Sequence, residues 1–406
     1  MTRYGSSPWL DEFPRSRVPA YPSYRGASTV DVVVVGGGLT GCATAYALSA
    51  SGISTVLLEA EKIGRGSTAF STGWIADDPG APFAAIEKAL GLRSARRAWQ
   101  AWRRAALDFS ALVRRLDLKC HLEARGTATI AATPEQLARI RKEQKSRTGA
   151  GIETPFLTAR QSKAETAIES VGAIRGRDGA TLDPYRACVG LASAAIERGT
   201  AIFEKSEVRR ITFTRKHADV HTAAGKIRAR KVVIAIGFPT ATLFGSLARH
   251  FWFHSRFAVQ TEAVPAKIRQ HLGRAATVVR DSAVPPHVLL RVGDDRLLVA
   301  GADGEMTPPR QRERTIVQRT GQLMYELSTL YPDVSGIQPA YGWATEYART
   351  ADGLPYIGAH RNFPHHLFAF GDASAGVTGA FLASRILLRQ VSGEMDPADE
   401  VFGFHR

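Results

Sequence analysis

Cysteine, methionine and lysine are scarce in this chain, and long apolar runs are absent. Three Cys in 406 residues cannot form the disulfide framework of small secreted domains, so stability has to come from a packed core. No run approaches the ~20 apolar residues of a membrane span. The opening stretch, with Trp9, Asp11, Glu12 and several prolines, lacks the apolar segment of a secretory leader. A cytoplasmic location is therefore the expectation. Lysine supplies 11 of the 53 basic residues, leaving 42 Arg against 38 acidic residues and a formal charge of +15. The arginines run from Arg3 to Arg406, denser at Arg96, Arg97, Arg103, Arg104, Arg114 and Arg115. Without a compact basic face or interleaved stacking aromatics they read as surface composition, not as a nucleic-acid site. What is plentiful is apolar content, 44% over 406 residues. That supports a substantial core and two or three domains.

The strongest local signal spans Val32–Glu59. Val32–Val35 read as a buried parallel strand. Gly36, Gly38 and Gly41 complete G-x-G-x-x-G with Leu39 and Thr40 between them, and Thr55–Leu58 form the next strand. Gly36 serves the tight turn, Gly38 the approach of backbone to a pyrophosphate, and Gly41 close packing of helix on strand. The helix start offers amide donors and the positive end of its dipole. Glu59, at the end of the second strand, can accept both ribose hydroxyls and disfavours a 2′-phosphate. A second glycine- and serine-rich stretch follows, with Gly64, Gly66, Ser67, Thr68 and Gly73. A third, at Gly371, Asp372, Ala373, Gly376, Val377, Thr378 and Gly379, opens the last helix. Turns at both chain ends suit a long extended cofactor, FAD rather than NAD.

Elsewhere the periodicity predicts a helix over 83–118, capped helix starts at Thr133 and Thr158, and a helix after Asp183-Pro184. Val232–Gly237 reads as another buried strand, and 256–261, 288–292 and 297–300 as strands of a larger sheet. A helix is expected over 312–330, a strand over 367–370, and a surface turn at His365-His366. Residues 1–27 are irregular, either an arm over the body or disordered. The histidine pairs His217/His221 and His250/His254 lack the further ligands of a metal site; none is expected.

Taken in order, these landmarks resemble the FAD-dependent oxidoreductases of the D-amino-acid oxidase, glycine oxidase and sarcosine oxidase superfamily. The nearest likeness is to gamma-glutamylputrescine oxidase-type proteins. They include Ile63–Thr68, Leu182-Asp183-Pro184, Gln260-Thr261-Glu262, Tyr331-Pro332-Asp333, Asp352–Gly358 and Gly371–Thr378. The resemblance implies an α/β (α+β overall) protein with a Rossmann-like FAD-binding domain in discontinuous segments and a substrate domain with a large antiparallel sheet. The corresponding division is an arm (1–27), FAD-binding segments at 28–90, 180–245 and 345–406, a helical and substrate-domain segment at 91–179, and substrate domain at 246–344. It places Gly36, Gly38 and Gly41 at the pyrophosphate and Glu59 at the ribose. Gly66, Ser67 and Thr68 are similar to phosphate and ribityl contacts, with Gly73 and Trp74 near the ring system. Val208, Ala235 and Gly237 resemble the adenine pocket, and Gly371, Gly376, Val377 and Thr378 the helix start at the flavin's pyrimidine edge.

The departures are as informative. Thr345 stands where some relatives carry a flavin-linking Cys and Phe70 where others carry a His, so non-covalent FAD is expected. Tyr347 falls where amino-acid oxidising relatives place a carboxylate-clamping Arg, with Arg349 two residues on. Either Arg349 takes over the clamp or the substrate has no α-carboxylate beside the reacting carbon, as in a gamma-glutamyl-polyamine. Trp343 and Tyr347 are candidates for an aromatic wall, and Glu346 for a partner to a cationic amine. The implied reaction moves a hydride from the carbon next to the amine to flavin N5, and the imine hydrolyses to an aldehyde. No Lys follows Lys267, although some oxidases of the group keep one over the flavin, so O2 and another electron acceptor both stay open. So do an α-amino-acid or N-methylglycine substrate, a non-catalytic FAD protein, and any oligomeric state.

Overall fold

The valine run ends a ten-residue strand, Gly26–Val35, whose last four residues are buried. Burial on both faces is what a continuous β-branched run selects. The computed structural model describes residues 1–283, 285–293, 295–371 and 376–406. In it this strand lies between Thr55–Leu58 and Gly225–Gly237, parallel to both. Ala201–Phe203 extends the sheet beyond Thr55–Leu58, and Phe363–Phe370 pairs in parallel with the second half of Gly225–Gly237. The helices Leu39–Ala50, Pro184–Ile196 and Gly376–Ser392 carry the apolar side chains that cover one face. An aromatic cluster including Phe244, Phe251, Tyr356 and Phe368 covers the other.

His365 and His366 correct the expected surface turn. They lie within Phe363–Phe370, and His366 is 1% exposed. His366 is held by the backbone pairing opposite Val232, while His365 sets its ring nitrogens against the carbonyls of Arg230 and Thr214 at 3.1 and 2.8 Å. Pro364 stands near the start of the strand, where a missing N–H is tolerated. The helix expected over 83–118 is also corrected. Gly91, at φ +82, divides it into Phe83–Leu90 and Leu92–Arg115, a left-handed conformation that glycine adopts readily. Thr133 and Thr158 do cap their helices through the amides of Gln136 and Gln161, the second as a full capping box.

The second sheet has nine strands among the described residues. Pro339–Arg349, Trp252–Thr261 and Arg296–Glu305 are antiparallel neighbours next to its Arg3–Tyr4 edge. Helix Arg312–Leu330 packs Ile316, Leu323 and Leu327 into a core against one face. The opposite face turns toward the nucleotide-binding sheet. Residues 1–27 are laid over both parts: Arg3–Tyr4 pairs with Tyr341–Gly342, Trp9 Nε1 donates to the Ser71 carbonyl at 2.9 Å, and Phe13 packs edge-on to Tyr185.

Candidate active site

The glycine turn is built as its spacing predicts. Gly36 has φ +106, and a Cβ there would lie 2.5 Å from the Ala235 carbonyl oxygen. A Cβ on Gly41 would overlap the Gly36 carbonyl oxygen, so helix and strand meet at backbone distance. Gly38 is the N-cap of Leu39–Ala50 and has no side chain to cap it. Thr68 supplies the oxygen instead, accepting the Leu39 N–H at 2.9 Å. Glu59 accepts the Gly37 and Glu61 amides at 2.6 and 2.8 Å. Burial pushes its carboxyl above the usual range, against those two amides, which pull it down. Its own backbone joins Phe203 and Ser206. Strand ends and acid therefore converge beside the turn.

Two adjoining clefts follow from this arrangement. The first, about 810 Å³ with the solvent at its mouth, runs from Leu39 and Thr40 past Ser67 and Thr68 to Gly237, Gly371 and the start of Gly376–Ser392. The second, about 600 Å³, lies between Trp74, Phe70 and Thr72 on one side and Arg256, Ala258 and Thr345 of the large sheet on the other. Ser67, Ser71, Tyr347, Gly376 and Val377 line both. A long cleft from a nucleotide turn thus opens onto a pocket floored by the other sheet. Thr378 is buried and donates to the Ala76 carbonyl at 2.8 Å, fixing the helix start against the segment after Trp74. Asp372 and Ala373, also singled out from the sequence, lie outside the described residues.

Other predicted residues lie around the clefts without lining them. Gly66 is the N-cap of the short turn Ser67–Phe70. Gly73 has φ +72, and a Cβ there would overlap the Leu182 carbonyl. Val208 and Ala235 are buried near the nucleotide strands. Trp343 departs from the expected aromatic wall: it is 1% exposed and its Nε1 donates to the Phe70 carbonyl at 2.9 Å. It underlies the loop instead of facing the pocket, while Thr345 and Tyr347, on the same side of the strand, do face it. Arg349 lines neither cleft. Glu346 does line the first cleft, but it is bound to Arg312 at 3.3 Å, so its charge is already met.

The charged centre of the second cleft went unseen in the sequence. Arg256 Nε donates to Asp303 at 2.9 Å and its Nη2 to the Pro286 carbonyl at 3.1 Å. The Tyr347 hydroxyl donates to the other Asp303 oxygen. Burial, then Asp303, pushes the Tyr347 phenol well above its usual value, so it stays protonated and holds the carboxylate. The available clue was phase. In Trp252–Thr261, Arg256, Ala258 and Gln260 share one side of an otherwise apolar stretch, and a charge in such a row needs a buried partner.

The cradle fits FAD. It offers glycine backbone where a Cβ would obstruct, a helix start without a side-chain cap, an acid at the second strand's end, and a second helix start across the cleft. Among the described residues neither cleft is lined by Cys or His, and Cys42, Cys120 and Cys188 are buried elsewhere.

Comparison with known proteins bears on this geometry. The sequence model of the family described as "FAD dependent oxidoreductase" (DAO) matches residues 31–390. The chain is similar to gamma-glutamylputrescine oxidoreductase of Escherichia coli (strain K12), 26% identical over 376 residues, 91% of this chain and 85% of that protein. It is also similar to glycine oxidase of Bacillus licheniformis, 25% identical over 90% of this chain and 95% of that one. Among solved structures it resembles glycine oxidase from Geobacillus kaustophilus, with a TM-score of 0.75 and 21% identity over 93% of this chain and 99% of the other. L-amino acid deaminase from Proteus myxofaciens superposes with a TM-score of 0.77 at 17% identity, over 100% and 99% of the two chains.

Proposed function

The chain belongs to the DAO family of FAD-dependent oxidoreductases, and on that premise we propose that it oxidises the C–N bond of an amine of the gamma-glutamylputrescine type. FAD, when bound, supplies the hydride acceptor. The residues that would hold it are the Gly36–Gly41 turn with Glu59, Ser67 and Thr68, and the start of Gly376–Ser392. The amide N–H groups and dipole of that last helix favour negative charge gathered at the cofactor's edge.

The observation that carries the substrate reading is the paired state of Arg256. The guanidinium that lines the second cleft is already engaged by Asp303 at 2.9 Å and by the Pro286 carbonyl. A neutralised floor does not call for a carboxylate next to the reacting carbon, and Arg349 lies off the pocket. Trp74, Phe70 and Tyr347 enclose the amine-bearing carbon and exclude water from it, and Asp303, fixed by two donors, keeps the floor rigid. An amine reacts from its neutral form, so the chain has to position and desolvate it and needs no strong base.

A second reading has its own support. Arg256 Nη1 has no hydrogen-bond partner among the described residues, so the same guanidinium can take an α-carboxylate. Anaerobic bleaching of the holoenzyme separates the two. Gamma-glutamylputrescine or putrescine should bleach the flavin at least ~10-fold faster than D-amino acids or N-methylglycine, a difference of about 1.4 kcal/mol in barrier. Bleaching by α-amino acids alone would move the assignment to the second reading, and bleaching by none would leave a non-catalytic FAD protein. The proposed electron acceptor is O2, giving H2O2. Substrate-dependent oxygen uptake without any artificial acceptor supports it, while turnover only with such an acceptor assigns a quinone or carrier.

A further inference from the structure

A third cleft, about 940 Å³, adjoins the pocket on the same side of the large sheet, and Thr72 lines both. At its floor Gln260 is fully buried, and among the described residues neither its Oε1 nor its Nε2 has a hydrogen-bond partner. Gln260 lies two and four residues beyond Ala258 and Arg256, with its side chain on the same side of the strand. The sheet thus presents one continuous floor from the reacting pocket to the third cleft. A buried amide with both ends unmet is costly, and a ligand offering an acceptor and a donor side by side meets both.

The cleft wall carries both signs of charge, with Glu12, Glu123, Asp183 and Asp295 lining it beside Arg125, Arg186, Arg291 and Arg296. Arg291 spends one nitrogen, Nη2, on the carbonyls of Arg269, Leu272 and Gly273 at 2.9 to 3.2 Å. No carboxylate among the described residues forms an ion pair with it. Burial lowers its pKa, with Arg125 and Arg269 adding to the effect and Tyr331 opposing it, the setting in which an anion is welcome. Arg125, at the same wall, is by contrast already met by Glu123.

From this floor and wall we infer that the third cleft binds the remote, unoxidised end of the substrate: an N-acyl diamine whose secondary amide pairs with Gln260 and whose acyl group ends in a carboxylate near Arg291. The inference rests on the amine reading above for the position of the reacting end, with Thr72 at the junction between the two halves of the molecule. It names the class that the second cleft alone leaves open, acylated diamines over free ones.

The test reads binding in FAD-loaded enzyme with a probe that carries no amine, glutaric acid mono-n-butylamide, against n-butylamine, by anaerobic titration calorimetry. The amide probe should bind and n-butylamine should bind at least ~10-fold more weakly. In Gln260→Met, which keeps the volume and removes both polar atoms, the amide probe should weaken about tenfold, two neutral hydrogen bonds' worth. Gln260→Glu, which retains polarity but loses the donor, should weaken it as well and serves if the first variant fails to fold. Equal affinity of the two probes, or unchanged affinity in either folded variant, overturns the inference, because Gln260 is then met by water alone. Since the probe cannot turn over, binding without oxidation of any amine refutes the amine reading while leaving the subsite in place.

Discussion

Arg256 lines the second cleft and Asp303 lies behind it, each under a tenth exposed, and their energetics are those of a buried pair. Removing one partner strands the other charge. Arg256→Met should therefore lower stability by about 3–5 kcal/mol in denaturant titration, whereas Arg256→Met/Asp303→Leu should recover most of it. A residual cost of about 1 kcal/mol is expected from the Tyr347 hydroxyl, which loses its acceptor. A double variant as unstable as the single one would show that the pair does not act as a unit. At this scale the glycines and Glu59 are legible in the sequence, because each is required by local backbone geometry or by the end of a strand. Arg256 and Asp303 are not. They are 47 residues apart, and the antiparallel pairing of Trp252–Thr261 with Arg296–Glu305 brings them together. Arg349 misleads for a related reason: counting positions along Pro339–Arg349 does not say which of them clear the loop that Trp343 supports.

Among the elements, the strand Phe363–Phe370 has the most specific physical consequence. Burial, helped by His365 and Lys231, lowers His366 to about 4, while in the unfolded chain the imidazole sits near ~6.5. As pH falls, the unfolded chain binds the proton first. Stability present at neutral pH is therefore lost progressively between roughly 6.5 and 4, by about 3 kcal/mol at the limit. Denaturation midpoints at pH 7 and pH 4.5 should differ less in His366→Phe than in the parent; an equal pH dependence would contradict the burial-driven shift. Two adjacent histidines after a proline look like a turn in one dimension, and only the pairing partner at Val232 makes them a strand. By contrast the caps at Thr133 and Thr158 are readable because a capping box is complete within four residues. Within 83–118 the overlooked signal is Gly91, an ordinary glycine along the chain whose left-handed φ ends one helix and starts the next.

For the whole molecule, the cofactor cleft is a surface shared by distant segments. Its lining runs from Leu39 to Ala383, so binding there ties the chain's two ends together. FAD at a hundred times its Kd should stabilise the protein by about 2.7 kcal/mol and raise the melting temperature with concentration. Acid precipitation should leave all the flavin in the supernatant, since no Cys or His among the described residues lines either cleft; yellow colour in the pellet would contradict non-covalent binding. Of the basic residues behind the +15 charge, Arg291 is the one to which the inferred subsite gives a ligand. No helix among the described residues is long and apolar enough to cross a membrane. The nucleotide turn and its acid can be read from the chain alone, because they depend on contacts a few residues apart, and the long cofactor can be read from glycine-rich turns near both chain ends. Which side chains floor the pocket, that its arginine is already paired, and that Gln260 has no partner among the described residues emerge only in the folded molecule. Burial and charge neutralisation are properties of surfaces brought together across the fold, and spacing along the chain does not encode them.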